Sequence, residues 1–146
     1  MGNKTSLRAK VLVIDDDIDM TELVKELLSN DHFEVFPIYQ GVERISIVKN
    51  IKPDIVILGM TMPDKSGFEF CKEIRKFSQV PILVLSAVSS PGISAQILNE
   101  GADDFLEKPI NSHILIAHIN KLIRRSPQMN KILSQNPIKD VQPGLE

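Results

Sequence analysis

Three carboxylates stand in a row at Asp15-Asp16-Asp17, directly after the apolar run Val11-Leu12-Val13-Ile14. Like charges crowded together cost stability unless something offsets them. For a lone acidic pair, a helix cap and a solvated neighbour are explanation enough. For a richer set, a hard divalent cation such as Mg²⁺ fits, held by one or two carboxylates, a carbonyl and waters. Two further polar groups follow apolar runs in the same manner: Ser86 after Val80-Pro81-Ile82-Leu83-Val84-Leu85, and Lys108 after Phe105-Leu106-Glu107. Singly, these read as a turn serine and a surface lysine. Together with the acidic cluster they are what a site needs to bind a phosphoryl group: cation and ammonium neutralise its oxygens, and the hydroxyl donates to one of them. Pro109, next to Lys108, is a place for a cis bond that aims the lysine inward.

The elements that must bring these groups together are legible as an alternation. The runs 11–14, 55–58 and 80–85 are nearly unbroken and rich in β-branched residues, as parallel strands covered on both faces should be. Weaker strands fit 33–37 and 103–107. Met20, Leu23, Val24, Leu27 and Leu28 mark a first helix, and Asp19-Met20-Thr21-Glu22 resembles a capping box with Asp19 in the cap position. Further helices fit 42–50, 67–76, 91–100 and 112–125, the fourth opened by Ser90-Pro91 and closed by Gly101. Strand-then-helix units with short connections imply a parallel α/β sheet with helices on both faces, whose ligands bind beyond the carboxyl ends of the strands. Residues 126–146 carry Pro127, Pro137 and Pro143 and read as a linker or tail, with a short helix near 127–135 as the alternative. Residues 1–9 read as an N-terminal tail.

Ordered along the chain, Val13-Ile14-Asp15-Asp16-Asp17, Met62-Pro63-Asp64 with Gly67, Ser86-Ala87, Gly101-Ala102-Asp103-Asp104-Phe105 and Lys108-Pro109 resemble the receiver domains of two-component response regulators. The resemblance covers residues 10–125. It implies a flavodoxin-like doubly wound (βα)5 fold, a five-stranded parallel sheet in the order 2-1-3-4-5. By the same resemblance Asp15, Asp16 and the backbone carbonyl of Thr61 would hold a divalent metal, Ser86 would sense phosphate, Phe105 would be the switch aromatic and Lys108 the phosphate-binding ammonium. An aromatic in a strand is more often core packing, and that reading of Phe105 stands beside the other. The expected partners are a sensor histidine kinase or another signalling protein.

One residue departs from the pattern. The family carries its phosphoacceptor aspartate four positions before the proline of the Met-Pro pair, and here Gly59 stands there. Glycine has no side chain to phosphorylate. Asp54 lies five residues away, roughly 16 Å along an extended strand, and Asp64 lies beyond Pro63. With one carboxylate fewer than the family, Mg²⁺ binding is expected to be weak. The reading is a receiver that acts as a phosphorylation-independent interaction, dimerisation or regulatory module. A natural substitution at Gly59 is favoured over an engineered replacement of the acceptor in an ordinary receiver, since a designer more often chooses Asn, Ala or Glu.

The stretch 101–108 and the ending Leu122-Ile123-Arg124-Arg125 are similar to the subfamily that precedes winged-helix output domains and dimerises through its fourth helix, fifth strand and fifth helix. Asp103, Asp104, Ile114 and His118 would then belong to a dimer face. The fifth helix is apolar at Ile114, Leu115, Ile116, Ile119, Leu122 and Ile123, a stripe broader than one core face needs, read either as extra core contact or as a partner surface.

Other function classes fare worse. A nucleotide- or flavin-using enzyme would want a glycine-rich loop where the three acidic residues stand. A phosphotransferase using Asp15 as nucleophile is a further alternative. His32, His113 and His118 lack partner cysteines for zinc and read as surface histidines. The single Cys71 reads as a small buried side chain. With 17 basic and 19 acidic residues and a formal net charge of −2, no bulk field would hold the domain on nucleic acid. No apolar run approaches the roughly 20 residues of a membrane span, and a cytoplasmic location is expected.

Overall fold

The strands are apolar on both faces because both faces are covered. A computed structural model describes residues 8–15, 17–29, 32–38, 44–60, 65–88 and 90–125. In it β1 (Ala9–Ile14), β2 (Phe33–Ile38), β3 (Ile55–Met60), β4 (Ile82–Ser86) and β5 (Asp104–Glu107) form one parallel sheet in the order β2-β1-β3-β4-β5, as expected. The helices between and after them are α1 (Ile18–Leu27), α2 (Arg44–Ile51), α3 (Lys65–Arg75), α4 (Pro91–Asn99) and α5 (Ser112–Ile123). Alternate residues of each strand serve opposite cores. Leu12, Ile14, Val56, Leu58, Ile82 and Val84 meet Val48 of α2, Phe68, Cys71 and Ile74 of α3 and Ile97 of α4. Val11, Val13, Ile55, Ile57, Leu83 and Leu85 meet Val24 of α1 and Leu115, Ile119 and Leu122 of α5.

Several element ends differ from the sequence reading, each for a local reason. The first helix is capped by Asp17, not Asp19: its carboxylate accepts the Met20 N–H at 3.2 Å, and Ile18 begins the helix. The Thr21 N–H and hydroxyl both donate to the Asp17 carbonyl, which completes the turn. Asp19 falls in the first turn, where the helix dipole favours an acid. Strand β4 starts at Ile82, because Pro81 has no N–H for a ladder and contributes only its carbonyl, to the Val56 N–H. Pro37 is tolerated inside β2 because that strand is an edge. Ser90 caps α4 with Pro91 after it, and Gly101 has φ +117°, the left-handed conformation expected at that helix end. Residues 1–7 and 126–146, including the segment near 127–135, lie outside the described residues.

A guanidinium fastens α3 to the β4–β5 side of the sheet. Arg75 lies one turn after Cys71 and so emerges at the edge of the buried face of α3. Its Nε donates to Gly101 O at 3.1 Å, Nη1 to Val80 O at 2.7 Å and Ser78 O at 3.3 Å, and Nη2 to Asp103 Oδ2 at 2.8 Å. The same Asp103 oxygen accepts the Ile82 N–H at 2.8 Å. Replacing Arg75 by Ala leaves that carboxylate and the carbonyls short of donors. The expected loss is about 2–3 kcal/mol, read as a lower urea midpoint at unchanged slope. Arg75→Lys should recover only part of it, since an ammonium cannot span those acceptors.

Candidate functional site

The order β2-β1-β3 reverses the direction of chain progression at β1, so the carboxyl ends of β1 and β3 meet at the crevice where such sheets bind ligands. Asp15 leaves β1 there, its N–H donating to Ile38 O at 3.2 Å and its side chain only 3% exposed. Asp15 Oδ1 accepts the Asp17 N–H at 2.9 Å, and Oδ2 lies 3.3 Å from Lys108 Nζ. Both carboxylate oxygens are therefore engaged.

Gly59 is the neighbour that makes this possible. A Cβ built on Gly59 would fall 1.8 Å from Asp15 Oδ2 and 2.3 Å from its Cγ. The Asp15 carboxylate thus lies in the space where a side chain at position 59 would begin. β3 itself carries no carboxylate. Asp54, fully buried, sits at the strand's opposite end, where its carboxylate accepts the Lys10 N–H at 2.8 Å.

Lys108 is delivered by the turn after β5. Its N–H donates to Ser86 O at 2.8 Å, extending the β4–β5 pairing by one bond, and the Lys108–Pro109 peptide is cis. Lys108 is largely buried, with 12% of its side chain exposed. Ser86 is fully buried and directed at its own chain: its hydroxyl donates to Val88 O at 2.8 Å and accepts the Val88 N–H at 3.1 Å. Phe105 is half-buried against the core cluster that contains Val84 and Ile97. The structure therefore brings Asp15, Gly59 and Lys108 together and leaves Ser86 bonded locally. Asp16 and Thr61 lie outside the described residues, and among the described residues no three His, Cys, Asp or Glu side chains converge to hold a metal.

On the flank formed by β5 and α5, the expected dimer residues divide. Asp103 is committed inward to Arg75 and the Ile82 N–H, with Arg125 Nη2 at 3.8 Å from its other oxygen. His118 is not a free surface histidine: its Nδ1 stands 2.6 Å from Asp104 Oδ2. The stripe of α5 is mostly core, with Leu115, Ile119 and Leu122 buried and Ile116 and Ile123 packed at the edge. Ile114 alone of that stripe remains outside, 49% exposed, with Leu98 of α4 also exposed. Cys71 is buried as expected. Desolvation pushes its thiol up to about 11, with Glu100 and Asp103 adding to the rise and Arg75 opposing it.

Comparison with known proteins gives a consistent family. The model described as a response regulator receiver domain matches residues 11–120. The chain is 37% identical over 117 residues to the transcriptional regulatory protein CpxR of Klebsiella pneumoniae, covering 80% of this chain and 50% of that protein. It is 35% identical over 116 residues to the sensory transduction protein BceR of Halalkalibacterium halodurans, again covering 80% of this chain and 50% of that one. It spans about half the length of these curated relatives. Among solved structures, a two-component response regulator from Clostridium difficile superposes with a TM-score of 0.74 at 30% identity, over 82% of this chain and 99% of that one.

Removing the ammonium strands a buried carboxylate. Lys108→Met is expected to lower the unfolding free energy by about 3 kcal/mol, the low end of the cost of breaking a buried pair, while Lys108→Arg should cost much less. Denaturant unfolding of the three proteins measures the difference.

Proposed function

The chain belongs to the response regulator receiver domain family, and from that premise we propose that it is a signalling module that receives no phosphoryl group at the family's usual acceptor position. One observation carries the reading: Gly59 offers no nucleophile, and the space of its missing side chain is taken by the Asp15 carboxylate. Asp15 is itself a poor substitute acceptor, because its Oδ2 is ion-paired with Lys108 and almost fully buried. A carboxylate so held is stabilised against attack on an incoming phosphorus. The same engagement disfavours an enzyme that would use Asp15 as its nucleophile.

The divalent site of the family is weakened in this chain, because Gly59 withholds one of its carboxylates. A magnesium ion demands near-octahedral oxygen ligands, and on Asp15 it would share a carboxylate that already accepts from the Asp17 N–H and from Lys108. Strong Mg²⁺ binding is therefore not part of the proposed function. The module works instead through its surfaces, with a sensor histidine kinase or another signalling protein as partner. A second copy of the chain across α4, β5 and α5 is the other partner, favoured by the exposed Ile114 and Leu98 on the two helices that flank β5. Direct binding of nucleic acid is not part of the proposed function, in keeping with the near-balanced charge of this chain.

Two measurements test this. Incubation with a small acyl phosphate and Mg²⁺ should leave the intact mass unchanged, and a stable gain of one phosphoryl group would overturn the acceptor-less reading. Light scattering should show Ile114→Lys as a monomer wherever the native chain is a dimer using this face; a dimer that persists in the variant removes that face from the proposal.

A further inference from the structure

The flank that presents Leu98 and Ile114 is poor in charge. Helix α4 has no ionisable side chain from Pro91 to Asn99, and α5 has only His113, His118 and Lys121 between Ser112 and Ile123. The strand between them, with Phe105 in the core beside α4 and Leu106 in the core beside α5, supplies Asp104 and Glu107. Charges next to these elements have other partners: Asp103 pairs with Arg75 and lies 3.8 Å from Arg125, Glu100 pairs with Lys72, and Lys108 pairs with Asp15. Helix α1, which shares a core with α5, bears Asp19, Glu22, Lys25 and Glu26. Asp104 is thus the carboxylate that faces α5, and His118 is the group set against it. Asp104 Oδ1 accepts the Phe105 N–H at 2.9 Å, and Oδ2 stands 2.6 Å from His118 Nδ1. The two side chains are 24% and 30% exposed. A partner laid on this flank removes the water they still touch.

We propose that this flank is a proton-gated surface for a second copy of the chain: the copies dock across α4, β5 and α5 when His118 is protonated and separate when it is not. An imidazole changes its charge between about pH 5 and 8. Protonated, the ring forms with Asp104 an ion pair of no net charge. Neutral, it can still donate from Nδ1, but the carboxylate keeps its charge uncompensated. A two-fold contact sets one patch against itself, so an unbalanced Asp104 enters the same interface twice, and each loses its water without a counter-charge. A charge-free α4 has no like charges to set against its own copy, which suits a second copy of this chain better than a strongly charged partner. Docking therefore takes up protons, at most one for each His118, and by linkage the dimer is favoured as the pH falls and lost as it rises.

The proton gate rests on the reading of this flank as a contact between copies, and adds the condition under which that contact forms. The test is light scattering of the full chain over a concentration series, at fixed ionic strength, between about pH 5.5 and 8, where imidazoles titrate and ordinary carboxylates stay ionised. The native chain should dimerise roughly tenfold or more tightly at the acid end than at the alkaline end. His118→Gln, which cannot take the proton, should lose the pH dependence and stay weak throughout. Asp104→Asn, which removes the charge to be balanced, should dimerise at the alkaline end as the native chain does at the acid end, and it decides the matter if His118→Gln does not fold. His113→Gln should keep the native dependence, which separates His118 from the exposed histidine on the same helix. A native dimer that Ile114→Lys dissociates but that is equally tight at both ends overturns the gate and leaves the contact surface standing. A dimer that Ile114→Lys leaves intact, with a pH dependence that His118→Gln abolishes, keeps the gate and removes Ile114 from the contact. A chain monomeric at every pH overturns both.

Discussion

At the carboxyl ends of β1 and β3, the Asp15 carboxylate takes the volume in which a side chain at position 59 would begin. A parallel sheet places neighbouring strand ends about 4.8 Å apart, so residues that leave β1 and β3 at the switch point compete for the same volume. With glycine at position 59 the competition has one entrant. The carboxylate that fills the space is nearly dry, and a dry charge needs a partner with good geometry. Lys108 and the Asp17 N–H supply it from opposite sides. The capping turn of α1, the end of β3 and the turn after β5 are consequently adjusted to one another through a single carboxylate.

The opposite flank is organised by a second charge, the Arg75 guanidinium, whose fork collects carbonyls from the α3–β4 and α4–β5 connections and shares Asp103 with the β4 backbone. Its consequence reaches the surface. Asp103, which the sequence places on a candidate dimer face, is already committed within the domain, and Asp104 is committed to His118. The charges that would label this flank for a partner are mostly satisfied internally. Among the residues that remain outward on this flank are two large apolar ones, Ile114 and Leu98.

Much of this is written in hydrophobic pattern. The buried runs of β1, β3 and β4, the spacing of α1 and the Ser90-Pro91 start of α4 follow from periodicity and cap chemistry, which are local. The catalogue of rim residues is legible too, because a parallel sheet sends every strand end to the same side. The side-chain rotations are not. The volume shared by Asp15 and position 59 exists only once β1 and β3 are paired, and Ser86 turns to Val88 by a bond that no spacing rule distinguishes from an outward hydroxyl. Asp17 and Asp19 are equally good cap residues by type, and the choice between them was made by where β1 stops. His118 offered a faint signal, since it lies on the helix that follows β5, the strand that begins at Asp104. Arg75 offered a better one, four residues after Cys71 on a face otherwise apolar.

A domain that changes state needs groups whose bonding differs between its states, because a ligand shifts an equilibrium only by its differential affinity for them. Here three groups suited to that task have partners inside the chain: Asp15 with Lys108, Ser86 with Val88, and Phe105 with the core beside Ile97. A phosphoryl group would have had to displace the first two of these contacts, and position 59 gives it no oxygen on which to be bound covalently. Moving this crevice therefore requires a partner that repays a buried ion pair from outside. A small cation is poorly placed to do that, since the Asp15 carboxylate is already paired with Lys108. A protein surface, which brings many contacts at once against α4, β5 and α5, is better placed, and two exposed apolar residues, Leu98 and Ile114, lie on that flank.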